Sequence, residues 1–269
     1  MKIILSRKGF DSSAGGVASP IINNKLLSLP IPENNGIEYE QLEYGEKTYT
    51  QILKDLNPKG DYQYAHLDPD LCNSIRKTKV EGWLPAFGQC GTAQSILQSC
   101  EVEKGDIFLF FGWFRQTEEI EGKLRYIKGA SDLHKIFAYM QIGEIITGAE
   151  KIKKYAWHPH SLDLYTKSQK KDHQNNTLYL PSEKLTSLGL DVDGYGTLNY
   201  QLTNDANSRS MWKPLEFLLP ENLHQKCKRK NQMKDGNIYY RGRWQELVFH
   251  ETPEAKNLLK EMISLAKQA

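Results

Sequence analysis

Two stretches, GDIFLFFGWFR (residues 105–115) and IFAYMQIGEII (residues 136–146), decide the fold. β-Branched and aromatic residues dominate both, so Asp106–Phe111 and Ile136–Ile146 are predicted to be strong β-strands. The first run stays apolar except for Gly112 and ends at Arg115. We expect the two strands to form a β-hairpin in the core of a sheet.

Weaker patterns on either side predict the remaining elements. Residues 2–6 should form a first strand, and three short segments should form further strands, namely Leu178–Leu180, Leu198–Leu202 and Glu246–Phe249. Apolar residues at helical spacing predict helices at Glu46–Leu56, Thr92–Cys100 and residues 253–267, the last capped by Thr252. Exposed loops are expected at Gln169–Asn176 and Lys226–Asn237. Because strands and helices do not alternate, the predicted fold is α+β, a single domain over residues 1–269 with a mixed, mostly antiparallel β core and flanking helices.

The composition is that of a globular protein. Of the 269 residues, 25% are charged and 39% are apolar, which argues against disorder. The longest apolar stretch is far shorter than the roughly 20 residues that a membrane helix needs, and no signal peptide is visible. We therefore expect a cytoplasmic protein with no membrane partner. The four cysteines include no Cys-x-x-Cys pair, which disfavours structural zinc.

Positive charge is concentrated near the C-terminus. Between Glu221 and Gln245 there are seven basic and two acidic residues, although the net charge of the whole chain is only +2. Such a patch can contact phosphates, but for KCKRKNQMKDG (residues 226–236) alone a solvated lysine-rich loop is the preferred explanation. The nucleic-acid interpretation assigns the contacts to four residues: Lys226, Lys228, Arg229 and Lys230.

The loop after the first strand, SRKGFDSSAGG (residues 6–16), combines glycines, hydroxyls and basic residues. Glycines let backbone amides approach an anion closely, hydroxyls add donors, and arginine and lysine supply charge. The composition favours a phosphate or ribose cradle and a plain polar turn about equally, and it is not a Walker loop. The cradle residues would be Arg7, Lys8, Ser12 and Ser13, with Asp11 acting on a hydroxyl.

Two histidine-containing segments supply candidate acids, bases and metal ligands. His66, Asp68 and Asp70 alternate in HLDPD and could share one face of an extended segment. An imidazole with two carboxylates suits acid–base chemistry or a divalent metal. His158 and His160 could complete a two-histidine, one-carboxylate set with this segment. Ordinary turns and exposed loop histidines are the alternatives.

The hairpin region resembles the barrels of the EVE and ASCH type, which read modified bases. In such barrels an aromatic cage stacks on a base. Trp113 or Phe114, beside Arg115, would suit that role, with core packing as the alternative. The resemblance implies a PUA/EVE-type hairpin and a reader function.

Polar residues near the C-terminal strand add a further candidate centre. Gln245 and Glu246 lead into a strand and resemble the catalytic-glutamate strand of DNA-targeting ADP-ribosyltransferases. The histidine and arginine motifs of that class do not accompany them in order. Arg209, in RSMW, and Gln89, in AFGQCGTAQ, are further candidates for substrate binding.

Read in order, nine short motifs resemble the third nucleotide modification associated domain family: SRKGFDSSAGG, SLPIP, HLDPDL, AFGQCGTAQ, GDIFLFFGWFR, HPH, NTLYLP, RSMW and QELVF. The resemblance spans roughly residues 2–260. It implies a bacterial or phage setting of nucleotide and DNA modification, and supplies no mechanism.

These patterns lead to an enzyme hypothesis, a transferase or hydrolase acting on a nucleotide or nucleic-acid base, with DNA favoured as partner. Asp11, Asp68 or Glu246 would act as base. The alternatives are a non-catalytic reader of a modified base, an ADP-ribosyltransferase-like enzyme and a scaffold protein. Clustering of the separated polar loops around one pocket would favour an enzyme.

Overall fold

The computed structural model describes residues 1–204, 208–227, 231–240, 242 and 245–266, without the side chains of Asp172 and Asn231. Within them, the α-helices are α1 (Tyr49–Leu56), α2 (Gly91–Ser99), α3 (Ala149–Ile152), α4 (Asp163–Thr166) and α5 (Pro253–Ala266). The strands are β1 (Lys2–Arg7), β2 (Ser19–Ile22), β3 (Lys25–Leu26), β4 (Ile31–Glu33), β5 (Ile37–Glu38), β6 (Glu43–Tyr44), β7 (Lys47–Thr48), β8 (Tyr64–His66), β9 (Phe87–Gln89), β10 (Ile107–Ile120), β11 (Lys123–Tyr126), β12 (Leu133–Thr147), β13 (Thr177–Pro181), β14 (Tyr195–Gln201), β15 (Met211–Trp212), β16 (Asn231–Lys234), β17 (Asn237–Tyr240) and β18 (Glu246–His250).

The two strands predicted from the central stretches are the longest of the described residues and pair with each other antiparallel. β10 has 14 residues and β12 has 15, so both continue well beyond the predicted segments. Ile107–Phe111 is buried throughout. A strand in the middle of a sheet with both faces covered reads as a continuous apolar run, which is why this pattern does not alternate.

The main sheet has the order β18-β1-β10-β12-β13-β9. β11 and β2 also pair with β10, β14 with β12, and β3 with β2. Only the β1–β10 and β10–β2 pairs of this sheet are parallel. The predicted α+β class with a mixed, mostly antiparallel core is confirmed. The described strands form an open sheet, so the PUA/EVE-type barrel is not formed around this hairpin.

The two faces of the sheet carry separate aromatic groups, because neighbouring residues of a strand point to opposite faces. On one face, Phe108 and Phe110 pack against Phe87 with ring centroids 4.8 and 5.1 Å apart. On the other face, the ring of Phe111 lies 5.2 Å from that of Trp212. Residues at the end of β1 therefore meet different surroundings according to the face they point to.

A glycine lets the chain that follows β1 approach the centre of the sheet. The backbone N–H of Lys8 donates to the carbonyl of Phe111 at 2.8 Å. A Cβ atom on Gly112 would lie 2.8 Å from the carbonyl oxygen of Lys8, closer than real Cβ contacts allow. The absence of a side chain at Gly112 thus fixes where Lys8 leaves the sheet.

The final helix begins as its sequence predicts. The Thr252 hydroxyl accepts a hydrogen bond from the Ala255 N–H at 3.1 Å, which confirms the predicted cap. The predicted apolar stripe is largely buried, since Ala255, Leu259, Met262 and Ile263 are at most 4% exposed. No helix among the described residues is long and apolar enough to cross a bilayer.

The two predicted exposed loops are partly wrong. In the second, residues 231–234 form β16, which pairs with β17. In the first, Gln169–Lys171 is exposed as predicted, but Asn176 is 7% exposed and its amide donates to the carbonyl of His160. Residues 232–236 are exposed as predicted, whereas at Asn176 the structure satisfies the polar side chain internally.

Replacing Leu109 by alanine should lower the free energy of unfolding by about 2–5 kcal/mol, because Leu109 is fully buried in the central strand. Ile120→Ala in the same strand is the matched control, since Ile120 is 40% exposed, and should change stability by about 0.5 kcal/mol or less. Urea unfolding of both variants measures the difference. Equal losses would show that β10 is not the buried centre of the sheet.

Candidate functional site

Lys8 lies between two buried carboxylates. Its Nζ is 3.6 Å from Oδ2 of Asp68 and 3.8 Å from Oε1 of Glu246. The side chain is only 9% exposed, and the ammonium lies 4.2 Å from the ring centroid of Phe87. Screening by water is weak at such a depth, so the three charges act strongly on one another.

Glu246 opens β18 and lies opposite Ser6 of β1 in the antiparallel register. Its Oε1 accepts hydrogen bonds from the Ser6 hydroxyl at 2.9 Å and from the Gln89 side-chain amide at 2.6 Å. Burial raises the pKa of Glu246, and Lys8 and the two hydrogen bonds only partly oppose this. The hydrogen bonds therefore hold the carboxyl in position, and its raised pKa favours the protonated form.

Asp68, just beyond β8, has a pKa shifted in the opposite direction to that of Glu246. Its Oδ1 accepts from the backbone N–H of Gly88 at 2.7 Å and lies 3.3 Å from Nε2 of His158. Burial alone would raise the pKa of Asp68, but Lys8 and His158 outweigh burial and hold it below its usual value. Two carboxyl groups with opposite tendencies share one lysine, an arrangement typical of acid–base pairs.

Three histidines surround Asp68. The rings of His66 and His160 lie 5.2 Å apart between centroids, and His158 Nδ1 accepts from the backbone N–H of His160 at 3.3 Å. Burial lowers the pKa of His160 to about 3, so its imidazole is neutral near pH 7. A Cβ atom on Gly88 would come within 2.3 Å of the His160 ring, so glycine is required there.

Outer acceptors orient two of these rings. Glu33 Oε2 lies 3.6 Å from Nδ1 of His66 and accepts from the Tyr165 hydroxyl at 3.2 Å. The interaction with His66 is the main reason that the pKa of Glu33 falls to about 2. Asn176 Oδ1 lies 2.6 Å from Nδ1 of His160. Each ring is thus held through Nδ1.

The donor atoms of His66, Asp68 and His160 all lie within 4.8 Å of one another, so these three residues could hold a cation. The sequence predicted that His158 and His160 would both contribute to such a site. In the structure only His160 joins the set, because the Nδ1 atom of His158 turns to the backbone and its Nε2 to Asp68.

Asp70 does not join this group. Its carboxylate accepts two hydrogen bonds from the Arg76 guanidinium and one from the Trp83 indole N–H, and it is fully buried. Asp70 therefore forms a buried ion pair with Arg76, and its catalytic role stays a prediction. Alternation along HLDPD did not place it with His66 and Asp68.

Asp11 belongs to the turn of its own loop. Its Oδ1 accepts from the backbone N–H and hydroxyl of Ser13, both at 2.7 Å, and from the Ala14 N–H at 2.8 Å. Its Oδ2 lies 3.3 Å from Arg7, whose guanidinium also donates to the carbonyl of Gly242 at 2.6 Å. Of the four predicted cradle residues, Arg7 and Ser13 contact Asp11, whereas Lys8 contacts Asp68 and Glu246.

Trp113 lies in a second polar group with Arg209. The guanidinium of Arg209 covers the indole ring at 4.0 Å and donates to the Ser12 hydroxyl at 3.0 Å. The indole N–H donates to Asp132 at 2.9 Å. These residues extend the contacts of the N-terminal loop to the strand that carries Trp113.

Two other aromatic-motif residues take different places. Phe114 is fully buried against Phe137, with ring centroids 5.9 Å apart, so its predicted role in base stacking is wrong. Arg115 lies over the ring of Tyr126 at 5.3 Å, apart from the Trp113–Arg209 pair.

The C-terminal candidates are only partly described. Gln245 is exposed, and its backbone carbonyl accepts from the Arg7 N–H at 2.8 Å. Lys226 is exposed. The rest of the predicted nucleic-acid patch, Lys228, Arg229 and Lys230, lies outside the described residues.

Sequence reasoning missed several residues that build the site: Glu33, Phe87, Gly88, Tyr165 and Asn176. Phe87 and Gly88 lie in the quoted motif AFGQCGTAQ, close to the candidate Gln89, and Asn176 is the first residue of the quoted motif NTLYLP. Nothing in the local pattern around Glu33 or Tyr165 marks them, since their contacts join segments 132 residues apart.

Asp70→Asn should lower the free energy of unfolding by about 3–5 kcal/mol, because it leaves the buried Arg76 charge without its carboxylate. Asp163→Asn is the matched control: it removes an exposed ion pair with Lys167 and should cost at most about 1 kcal/mol. Thermal and urea unfolding measure both. A negligible loss of stability for Asp70→Asn would show that the ion pair is not needed for the fold and would favour a functional role for this carboxylate.

Comparison with known proteins bears on the setting of this site. The chain matches the family model described as nucleotide modification associated domain 3 over residues 2–250. Comparison with curated proteins and with solved structures gave no match. The matched region contains all of the site residues described above. The chain belongs to the nucleotide modification associated domain 3 family.

Proposed function

We propose that this protein is an enzyme that modifies a nucleotide or a nucleic-acid base, with Lys8, Asp68 and Glu246 at its reaction centre. The observation that carries the proposal is the buried ammonium of Lys8 within 4 Å of both carboxylates. Family membership supplies the nucleotide setting.

The charges of this group favour a catalytic role over a structural one. Two carboxyl groups and one ammonium lie together at a depth where Glu246 is fully buried and Asp68 is 7% exposed. Burying charge costs free energy that an apolar core would avoid. Clusters of this kind are found preferentially at functional sites.

The geometry suggests a division of roles. Lys8 would stabilise negative charge that develops on the substrate. Glu246, fixed by Ser6 and Gln89, would transfer a proton at a defined position. Asp68 would hold the Lys8 ammonium and the His158 imidazole in place.

Recognition of the nucleotide would fall to the second polar group. Trp113 is half-buried and offers an indole ring for base stacking, and Arg209 and Arg7 offer guanidinium groups for phosphate. On this proposal Arg209, which now covers the indole, moves to the phosphate when a base takes its place.

A reader function is the second candidate, supported by the Trp113–Arg209 pair. A reader would need the stacking ring and the cations, but it would have no use for the buried Lys8 group. An ADP-ribosyltransferase-like reaction would use Glu246 at the start of β18, and it shares the test below.

The reaction centre is tested by nucleoside mass spectrometry of DNA and nucleotide pools from cells that express wild-type protein or Glu246→Gln. A modified nucleoside should appear with the wild type and fall by about 10²–10⁴-fold in the variant, as expected for loss of a proton-transfer group. Glu254→Gln, at an exposed position of α5, should match the wild type. A modified nucleoside formed equally by Glu246→Gln would refute the assignment.

The nucleotide-binding role of Trp113 is tested by DNA binding at several salt concentrations. Trp113→Ala should weaken binding by about 1–3 kcal/mol with little change in salt dependence, because stacking involves no phosphate. Replacing the basic patch at Lys226, Lys228, Arg229 and Lys230 should instead flatten the log–log salt slope by about 0.7–0.9 per lost phosphate contact. An unchanged affinity for Trp113→Ala would exclude base stacking, and an unchanged slope would leave the patch a solvated loop.

A further inference from the structure

We infer that His66, Asp68 and His160 form a binding site for a divalent first-row transition-metal ion. Two imidazoles and one carboxylate suit ions such as Zn²⁺, Co²⁺ and Fe²⁺, whereas Mg²⁺ and Ca²⁺ prefer oxygen ligands throughout. The ion itself is bound independently of the reaction, although its use in catalysis rests on the proposed function.

The three donor groups already converge. Their ligand atoms lie within 4.8 Å of one another, and all three residues are buried, at 8%, 7% and 3% exposure. Metal–ligand bonds of about 2.0–2.2 Å require the donors to move closer together, which small side-chain rotations can supply.

The contacts that both rings make through Nδ1 favour metal binding through Nε2. Nδ1 of His66 faces the Glu33 carboxylate at 3.6 Å, and Nδ1 of His160 faces the Asn176 amide oxygen at 2.6 Å. A proton held on Nδ1 leaves the lone pair on Nε2, the arrangement that outer acceptors impose on metal-binding histidines. No hydrogen bond from a described residue reaches Nε2 of either ring.

The wall of the site is shaped for these rings. Gly88 donates its N–H to Asp68 and has no side chain to displace the His160 ring. Tyr165 stacks on that ring with a centroid distance of 4.6 Å. A packing role alone would account for the stacking, but it would not require two acceptors that set the tautomers of both rings.

Three protein ligands leave coordination positions for water or substrate. Asp68 links the ion to Lys8, and through Lys8 to Glu246. An ion at this point would therefore lie beside the proposed reaction centre.

The test uses the full-length protein, stripped with a chelator and titrated with Zn²⁺ and with Co²⁺ by calorimetry, with visible absorption following Co²⁺. We expect one ion per chain. His66→Gln and His160→Gln should each weaken binding by more than 100-fold, and Glu33→Gln by about 10–100-fold, as for other outer partners of metal-binding histidines. His224→Gln is the control, because His224 forms a separate pair with His250, 5.2 Å apart between ring centroids, and should bind as the wild type does.

Three results would overturn the inference: no stoichiometric binding of either ion by the folded wild-type protein, binding unchanged in both ligand variants, or binding lost in His224→Gln. Circular dichroism of each variant distinguishes loss of metal binding from loss of the fold. If both ligand variants unfold, the number of ions bound per wild-type chain tests the inference. Metal binding without any modified nucleoside in cells would leave the metal site standing and remove the proposed function. Loss of modification in Glu246→Gln together with absence of metal binding would support the proposed function and remove the metal site.

Discussion

The ion-pair group around Lys8 is the constraint on which the rest of the site depends. Lys8 follows β1, Asp68 follows β8, and Glu246 begins β18, so one ammonium ties together three segments that are distant in the chain. Since all three groups are buried, removing Lys8 would leave the two carboxyl groups without their cation. The ion pairs that hold these side chains in place are the same contacts that the proposed function would use. The geometry is therefore fixed without a substrate.

The parallel pairing of β1 with β10 places neighbouring residues of β1 on opposite faces of the sheet. The side chains of Ser6 and Lys8 lie on the same face as Phe87, where they contact Glu246 and Asp68. Arg7, between them, points to the other face and contacts Asp11. One short segment therefore contributes to the Lys8 group on one face and to an arginine-rich group on the other. On the proposed function, a nucleotide held near Arg7 and Trp113 would lie close to the end of β1, where the Lys8 group begins.

Asp68 connects Lys8 to the histidines. One of its oxygens faces Lys8, and the other receives the Gly88 N–H and faces His158. An ion bound with His66 and His160 would draw charge from Asp68 and so weaken its hold on Lys8. On this inference the carboxylate would couple a bound ion to the position of Lys8, whose other partner is Glu246.

The sequence by itself determined the α+β class, the central pair of strands, the capped final helix and the family, because these depend on local periodicity and on motifs in order. It also singled out Lys8, Asp68, His160 and Glu246, since charged and imidazole groups beside apolar strands are conspicuous in any chain. It could not separate Asp68 from Asp70, two residues apart in one motif: only the fold supplies Arg76 and Trp83 to engage Asp70 and Lys8 to engage Asp68. Likewise Phe114 and Trp113 are neighbours of similar character, and strand alternation buries one and leaves the other half-buried beside Arg209. Which partner a polar group finds is set by packing between distant segments, and no local pattern encodes that choice.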